Sequence, residues 1–197
     1  MSHYFINNPN QKSNIKTFDF NYDGKIYRFS TDVGVFSKDK IDFGTKTLID
    51  AISLKNEKLD LLDLGCGYGV IGIIIKDKYP NVNLTQTDVN LRALELTKIN
   101  AETNYIESKV FHSVGFEKIT ELFDVITLNP PIRAGKETVF KLYKGAYEHL
   151  KKDGEFYIVI AKKQGAPSHQ RYLKELFGNI VVVCKNKGYF VFKMKKV

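Results

Sequence analysis

The most informative segment of this chain reads Leu59-Asp60-Leu61-Leu62-Asp63-Leu64-Gly65-Cys66-Gly67-Tyr68-Gly69-Val70-Ile71-Gly72. Its first residues are mainly aliphatic, as expected of a strand in a parallel sheet that is covered on both faces. The glycines at alternate positions let the backbone turn sharply and approach a ligand closely. The apolar residues from Val70 onward then begin a helix. The segment therefore predicts a buried strand, a glycine loop and a helix in direct succession.

Asp63 is the unusual residue of the predicted strand. A carboxylate at the end of a buried strand is costly unless hydrogen-bond donors or a cation surround it. Backbone amides would satisfy this carboxylate, and so would a cationic cofactor. Asp63 is therefore a candidate cofactor-binding residue together with the glycines that follow it.

The glycines alone are compatible with two kinds of cofactor. Gly67-x-Gly69-x-x-Gly72 fits the dinucleotide fingerprint, and Asp88 lies about twenty residues further on, where a ribose-binding acid belongs. In that fingerprint the first glycine follows the strand directly, whereas here it would come late and leave Asp63 and Gly65 without a role. The alternative pattern, Asp63-x-Gly65-x-Gly67-x-Gly69, gives each of these residues a place.

Strands and helices alternate along the rest of the chain. The predicted strands cover residues 59–64, 82–87, 108–112, 123–128 and 154–161, and the predicted helices lie around residues 45–52, 70–79, 91–102, 139–150 and 168–177. Thr45, Asn90 and Ser168 are the expected N-caps. Segments 180–184 and 189–194 bracket a turn and predict an antiparallel hairpin. We therefore expect a doubly wound, mostly parallel α/β sheet of about seven strands that ends in this hairpin.

The N-terminal part is predicted to precede that domain as an extension. Segments 17–22 and 25–30 alternate in polarity around Asp23-Gly24, which is a strong hairpin signal. The polar residues before them predict a loose arm. We expect residues 1–32 to form this arm and β-hairpin, and residues 33–197 to form the main domain.

Ligands of doubly wound sheets bind beyond the carboxyl ends of the strands. Asp63 to Gly69, Asp88, Ser113 and Asn129 all fall at such ends. The two carboxylate oxygens of Asp88 could accept hydrogen bonds from both ribose hydroxyls of a cofactor. The alternative is that Asp88 only interacts with the dipole of the helix that follows it.

The turn Asn129-Pro130-Pro131 is the second strong signal. Proline has no backbone donor, and it restricts the residue before it to extended geometry. The turn thus presents two acceptors, the Asn129 side-chain oxygen and the Pro130 carbonyl. Two such acceptors could orient an exocyclic amine, which is a poor nucleophile, toward an electrophilic methyl group. The alternative is a purely structural turn at the end of a strand.

Composition limits the kinds of partner. Residues 1–129 contain 15 basic and 17 acidic residues, a net charge of −2, whereas residues 130–197 contain 15 basic and 5 acidic residues, a net charge of +10. Such a basic third indicates an anionic partner, most often nucleic acid, or else a solvated lysine-rich surface.

The N-terminus has no signal-peptide pattern, and the apolar runs are too short to span a membrane. The two cysteines and four histidines show no metal-ligand spacing, so we expect free thiols, a cytoplasmic location and no metal.

Four motifs together resemble the "methyltransferase small" family of class I S-adenosylmethionine-dependent methyltransferases. They are Gly34-Val35-Phe36-Ser37, Asp42-x-Gly44-Thr45, Asp63-x-Gly65-Cys66-Gly67-x-Gly69 and Asn129-Pro130-Pro131. Well-known members are bacterial guanine-N2 methyltransferases that act on small-subunit ribosomal RNA. The resemblance implies a Rossmann-like fold, S-adenosylmethionine as cofactor and RNA as partner, in the form of ribosomal RNA or a ribosomal particle. It also implies cofactor contacts from Asp63, Gly65, Cys66, Gly67, Tyr68, Gly69, Asp88, Val89, Asn90, Ser113 and Asn129, with Asn129, Pro130 and Pro131 as the catalytic turn.

The chain departs from the family pattern after the two prolines. Many amino-methyltransferases place an aromatic residue there to stack on the target base, but this chain has Ile132. Phe36 could replace that aromatic ring or could instead anchor a loop. Four basic residues flank the predicted site and are candidate phosphate contacts: Arg133, Lys136, Lys162 and Lys163. Together with Phe36 and Ile132, they are the predicted substrate-binding residues.

Three functions fit these observations. The first is methylation of an exocyclic amino group in ribosomal RNA, most readily that of guanine. The second is methylation of a protein glutamine amide by a similar turn, which would make the protein indifferent to RNA. The third is a non-catalytic nucleotide-binding or RNA-binding module, against which the presence of Asp63, Asp88 and Asn129 argues.

Overall fold

The structure is a computed structural model that describes residues 13–35 and 41–197. The N-terminal hairpin predicted from Asp23-Gly24 is present as strands β1 (Lys16–Tyr22) and β2 (Lys25–Thr31). Asp23 and Gly24 both have positive φ angles, as a tight two-residue turn requires. The hairpin forms its own two-stranded sheet.

A seven-stranded sheet forms the centre of the molecule, in the order β5-β4-β3-β6-β7-β9-β8. Its strands are β3 (Leu59–Leu64), β4 (Val82–Asp88), β5 (Lys109–His112), β6 (Phe123–Leu128), β7 (Leu150–Ala161), β8 (Val181–Asn186) and β9 (Tyr189–Lys195). Strands β3 to β7 run parallel to one another, and β9 is antiparallel to both β7 and β8. The predicted doubly wound sheet with a C-terminal antiparallel hairpin is therefore observed.

Five helices cover the sheet among the described residues: α1 (Phe43–Ala51), α2 (Val70–Lys78), α3 (Leu91–Thr103), α4 (Lys136–His149) and α5 (Ala166–Phe177). Side chains alternate across each strand, so neighbouring residues of β3 enter different cores. Leu61 packs in a cluster with α1, α2 and α3, whereas Leu62 packs in a second cluster with α4 and α5. The sheet is thus buried on both faces, which explains the aliphatic run of β3.

Two of the predicted N-caps are wrong. Helix α1 begins at Phe43, and its cap is Asp42, whose Oδ1 accepts from the backbone N–H of Thr45 at 3.1 Å. Helix α5 begins at Ala166 after Gly165, which has a φ of 86°. It includes Pro167, because proline fits the first turn of a helix, so Ser168 lies inside the helix. Asn90 does cap α3, and its side chain accepts from Ala93 N–H at 3.2 Å.

The N-terminal hairpin packs against α3 through side-chain amides. Asn100 Oδ1 accepts from Ser30 N–H at 2.6 Å, and Asn104 Oδ1 accepts from Arg28 N–H at 3.0 Å. These amides satisfy backbone groups on one edge of β2. The division of the chain at residue 32 stays a prediction. Within residues 13–35 and 41–197, the structure contains no helix that is both long and apolar enough to span a membrane.

Candidate active site

A cavity of about 670 Å³ lies at the carboxyl ends of β3, β4 and β6. This volume is within the range of about 300–1,000 Å³ that is usual for small-molecule sites. The structure brings together there most of the residues that the sequence predicted: Gly65, Cys66, Gly67, Tyr68, Asp88, Val89, Ser113, Asn129, Pro130, Pro131, Ile132, Arg133 and Lys163.

Several predicted site residues do not line this cavity. Lys136 is the first residue of α4, and Lys162 begins the short 3₁₀ turn after β7. Gly69 is the N-cap residue of α2 with a φ of 95°, and a Cβ atom there would lie 3.0 Å from Thr97 Cγ2. Asp63 and Asn90 are also outside the lining, and their contacts are described below. Phe36 lies outside the described residues.

Asp63 is fully buried below the glycine loop, and protein groups satisfy its carboxylate. Oδ2 accepts from Gly72 N–H and from Gln86 Nε2, both at 3.0 Å, and Oδ1 accepts from the Thr127 hydroxyl at 3.2 Å. Burial raises the pKa of Asp63 to about 6, although these three hydrogen bonds act in the opposite direction. The side chain therefore joins β3 to β4, β6 and α2. It does not line the cavity itself, and it can affect a ligand there only by supporting the glycine loop.

The glycine loop is held by its own backbone groups. Cys66 N–H donates to the Thr87 carbonyl at 3.0 Å, and the Thr97 hydroxyl donates to the Gly67 carbonyl at 2.8 Å. Gly65 and Gly67 have φ angles of 64° and 58°, which favour glycine. A Cβ atom at Gly67 would meet no protein atom within 4 Å, so the loop presents bare backbone to the cavity.

Asp88 lies at the end of β4 and forms part of the cavity wall. Its Oδ2 accepts from Gly67 N–H and its Oδ1 accepts from Asn90 N–H, both at 2.8 Å. Burial raises the pKa of this carboxyl, while hydrogen bonds from the backbone of Asn90, Gly67 and Val89 oppose the shift. A carboxylate has about four lone-pair sites, so Asp88 can accept from these backbone donors and also from a hydroxyl group in the cavity.

The predicted residue Asn90 contacts a loop that lines the cavity. Its Nδ2 donates to the Gly34 carbonyl at 3.1 Å, and the neighbouring Arg92 donates to the Val33 carbonyl at 3.0 Å. These contacts place Gly34 and Val35, which line the cavity. Asn90 therefore shapes the site through the loop that follows β2.

Asn129 is oriented by a hydrogen bond to α1. Its Nδ2 donates to Thr45 Oγ1 at 3.0 Å, which leaves the side-chain oxygen free as an acceptor. The Pro130 carbonyl accepts from Ile132 N–H at 2.9 Å and retains one lone pair. Asn129, Pro130 and Thr45 all line the cavity, so two acceptors of fixed orientation are available at one place.

Comparison with known proteins identifies the family. A family model described as "Methyltransferase small domain" matches residues 26–193. The chain belongs to the methyltransferase small-domain family. The family expected from the four sequence motifs is thereby confirmed, as are S-adenosylmethionine as methyl donor and the Rossmann-like fold.

Relatives within the methyltransferase small-domain family differ in length. YbxB, an uncharacterized protein of Bacillus subtilis strain 168, is 44% identical over 99% of this chain and 98% of its own length. The ribosomal RNA small subunit methyltransferase C of Enterobacter sp. strain 638 is 34% identical over 81% of this chain and 47% of its own. The chain spans about half the length of this second relative.

A solved structure agrees with this assignment to the methyltransferase small-domain family. It is a Thermus thermophilus 16S rRNA guanine-N2 methyltransferase in complex with AdoMet and guanosine. It matches with a TM-score of 0.84 and 25% identity, over 96% of this chain and 52% of that one.

The cavity fits the methyl donor of the methyltransferase small-domain family. The Gly67 backbone lines the cavity. Because no protein atom lies within 4 Å of the position of a Cβ atom there, the space beside Gly67 is open to a ligand. The Asp88 carboxylate at the end of β4 offers acceptors for hydroxyl groups, and the fixed Asn129 amide stands at the end of β6. Among residues 13–35 and 41–197, no group of three or more histidine, cysteine or acidic side chains could hold a metal ion.

Several lining residues were not predicted from the sequence. Gly34, Val35, Asp42 and Thr45 belong to motifs that carried the family resemblance, and that membership was the available signal for a role in the site. Gln164 and Tyr189 also line the cavity. Neither belongs to one of the four motifs. Gln164 ends the short 3₁₀ turn after β7, whereas Tyr189 reaches the site through the long-range pairing of β7 with β9.

Proposed function

We propose that this protein transfers a methyl group to an exocyclic amino group of a base in small-subunit ribosomal RNA, with guanine N2 as the target. The observation that carries this proposal is the Asn129 side chain, whose amide nitrogen is bound by Thr45 at 3.0 Å. This bond fixes which end of the amide faces a substrate, and that end is an acceptor. An amino group has two hydrogens to donate, and the Pro130 carbonyl is the second acceptor beside it.

The proposed chemistry needs positioning and preorganised electrostatics. The lone pair of an exocyclic amine is delocalised into the ring, so the amine is a weak nucleophile. S-Adenosylmethionine supplies an electrophilic methyl group when bound. Asn129 Oδ1 and the Pro130 carbonyl hold the two N–H groups of the amine and favour localisation of its lone pair. No side chain needs to act as a strong base before transfer, because the proton leaves after the nitrogen becomes cationic.

The names of relatives and the surface charge support RNA as the substrate. The relatives of which this chain covers about half are ribosomal RNA methyltransferases, and the structural neighbour contains guanosine. Arg133 and Lys163 line the cavity, with Lys136 and Lys162 close to them in the chain. We assign these four side chains to phosphate contacts.

Replacement of Asn129 tests this proposal. Asn129→Ala removes one acceptor and leaves the glycine loop and Asp88 intact, so affinity for S-adenosylmethionine should stay within a few fold. Methyl transfer should fall by about two to three orders of magnitude, the usual cost of losing one preorganised polar contact to a transition state. The measurement is single-turnover methylation of small subunits, at saturating cofactor, from cells that lack this protein.

A matched control is Asn83→Ala. Asn83 is an exposed asparagine of β4 whose Nδ2 donates to Asp60 at 2.8 Å, near the amino ends of the strands. This control should transfer methyl at the wild-type rate. If Asn129→Ala also transferred methyl at the wild-type rate, the turn would have only a structural role. The proposal that the target is an amino group would then lose its main support.

A further inference from the structure

Ile132 leaves the cavity without an aromatic side chain directly after the two prolines. Asn129 Oδ1 and the Pro130 carbonyl can hold the edge of a base, but they do not cover its face. Proteins that bind unpaired bases usually stack that face on an aromatic ring. A base site in this cavity therefore calls for a ring from another part of the chain.

Two aromatic side chains line the cavity among the described residues, Tyr68 and Tyr189. Tyr68 is 4% exposed, and its ring is enclosed by Phe18 and Phe29 of the N-terminal hairpin, at centroid distances of 6.4 and 6.1 Å. Tyr189 is only partly buried. Its ring is therefore the aromatic surface that a ligand in the cavity can reach.

The Tyr189 ring is held firmly in place. Tyr189 is the first residue of β9 and pairs with Ala161 of β7, and its ring packs against that of Phe43 with 5.6 Å between centroids. A Cβ atom at Gly44 would come within 2.9 Å of Tyr189 Cε1, closer than such atoms approach in proteins. The ring thus occupies space that glycine leaves open on α1. A ring fixed in this way loses little freedom when a ligand stacks on it.

The first turn of α1 connects this ring to the catalytic turn. Phe43 and Gly44 contact Tyr189, while the next residue, Thr45, accepts the hydrogen bond from Asn129. Tyr189 and Asn129 are therefore positioned by consecutive residues, although they are far apart in the sequence. Both residues line the same cavity, so a ligand bound there has the Tyr189 ring and the Asn129 oxygen in its surroundings.

The surroundings of the ring favour a nucleotide over a protein amide. Lys163 lines the cavity, and Lys187, in the turn just before Tyr189, has its Nζ 5.3 Å from the Phe43 ring centroid. The phosphates that flank an unpaired base would be attracted to these cations. A glutamine side chain has neither a ring face to stack nor adjoining phosphates.

We propose that Tyr189 is the stacking platform for the target base and takes the place of the aromatic residue that Ile132 replaces. This inference rests on the proposed function and adds a substrate-binding residue to it. The ligand class is a purine nucleotide that is unpaired or extruded from its helix. Tyr189 covers one face of the base, and Asn129 Oδ1 accepts from its exocyclic amine.

Binding of a mononucleotide tests the platform with a ligand that is independent of the surrounding RNA sequence. The probe is guanosine 5′-monophosphate, titrated by saturation-transfer NMR into protein saturated with S-adenosylhomocysteine, with ribose 5-phosphate as the ligand that lacks a base. A stacked base contributes about 1–3 kcal/mol, so Tyr189→Leu should raise the Kd of the nucleotide by about fivefold to 150-fold. Tyr189→Phe keeps the ring and should bind within about twofold of wild type.

Phe190→Leu is the matched control. Phe190 is the next residue of the same strand, points to the opposite face and stacks on Phe192 at 5.9 Å, outside the cavity. The platform is supported if Tyr189→Leu alone loses nucleotide affinity while S-adenosylhomocysteine affinity and melting temperature stay unchanged. It is overturned if Tyr189→Leu binds like wild type, if Phe190→Leu loses as much, or if wild type binds the nucleotide no better than ribose 5-phosphate. Methylation by the Asn129 variants decides the proposed function separately.

Discussion

At the scale of single residues, the proposed function depends on the contact between Asn129 and Thr45. The amide of Asn129 can donate through Nδ2 or accept through Oδ1. The hydrogen bond from Nδ2 to Thr45 Oγ1, at 3.0 Å, assigns the donor to the protein. The acceptor is then available to a substrate amine before that amine binds. Thr45 is a positioning residue in this account, because it acts through Asn129.

Thr45→Val should weaken the chemical step while leaving cofactor binding intact. Valine keeps the shape of threonine but cannot accept from Asn129 Nδ2, so the amide is free to rotate. Loss of one neutral hydrogen bond costs about 0.5–1.5 kcal/mol, which corresponds to a fall of up to about tenfold in the rate of methyl transfer. Single-turnover transfer at saturating cofactor measures this change.

Thr47→Val controls for the loss of a hydroxyl from the same helix. Thr47 is also buried, and its hydroxyl donates to the Phe43 carbonyl at 2.7 Å rather than to the active site. The rate should fall for Thr45→Val and not for Thr47→Val. Equal rates for both variants and wild type would mean that Thr45 does not orient Asn129.

Residues at strand ends were the most predictable part of the site. Asp88 and Asn129 lie in the cavity wall as expected, because the end of a parallel strand is visible in the sequence and all such ends share one edge of the sheet. The contacts of Asp63 were less predictable. The sequence left open whether backbone amides or a cofactor would satisfy it, and only the register of β3, β4 and β6 places Gln86 and Thr127 beside it.

At the scale of secondary-structure elements, Asp63 joins the parts that carry the glycine loop. Its carboxylate receives hydrogen bonds from α2, β4 and β6, and Gln86 also donates to the Gly69 carbonyl at 3.1 Å. Burial raises the pKa of Asp63 from 3.8 to about 6. A raised pKa means that the folded state prefers the protonated form, so this group stabilises the protein at low pH. Its contribution is lost as pH rises from about 4 through about 6.

Asp63→Asn should therefore stabilise the protein more at pH 8 than at pH 5. The asparagine oxygen can accept from Gly72 and Gln86, while its amide can donate to Thr127. The raised pKa corresponds to about 3 kcal/mol of unfolding free energy at pH 8 and about half of that at pH 5. Urea unfolding of both proteins at the two pH values measures the difference.

The cofactor affinity of Asp63→Asn tests the prediction that Asp63 contacts the cofactor. Because Asp63 does not line the cavity, Asp63→Asn should bind S-adenosylmethionine within a few fold of wild type by calorimetric titration. A pH-independent difference in stability would contradict a raised pKa. A large loss of affinity would instead mean that the charge of Asp63 acts on the cofactor across the loop.

At the scale of the whole molecule, charge follows the order of the sheet. The strongly basic residues 130–197 include strands β7, β8 and β9, which lie together on one side of β6, and helices α4 and α5, which cover one face of the sheet. The glycine loop and Asp88 lie on the other side, on β3 and β4. The cofactor residues and the basic surface therefore meet at the cavity, where β6 ends in Asn129. In the proposed function, this arrangement attracts an anionic substrate toward the acceptors and leaves the methyl donor in the less basic half.

The position of the cofactor residues next to the basic surface was only partly predictable from the sequence. Composition identified a basic third, and the alternation of elements identified the sheet, so the two sides of the cavity could be expected. The position of Tyr189 in the cavity wall could not be predicted, because it depends on the pairing of β7 with β9 and on the absence of a side chain at Gly44. Such contacts between distant segments leave little trace in a local pattern.

The most direct test of this account is the chemical identity of the methylated product. Small ribosomal subunits from cells that lack this protein are incubated with the purified protein and isotopically labelled S-adenosylmethionine, and the RNA is digested to nucleosides for mass spectrometry. The label should appear in N2-methylguanosine in the ribosomal RNA, at a rate about two to three orders of magnitude lower with Asn129→Ala. Label on a ribose oxygen, on a ring carbon or on a glutamine of a ribosomal protein, with no methylated base amine, would contradict it.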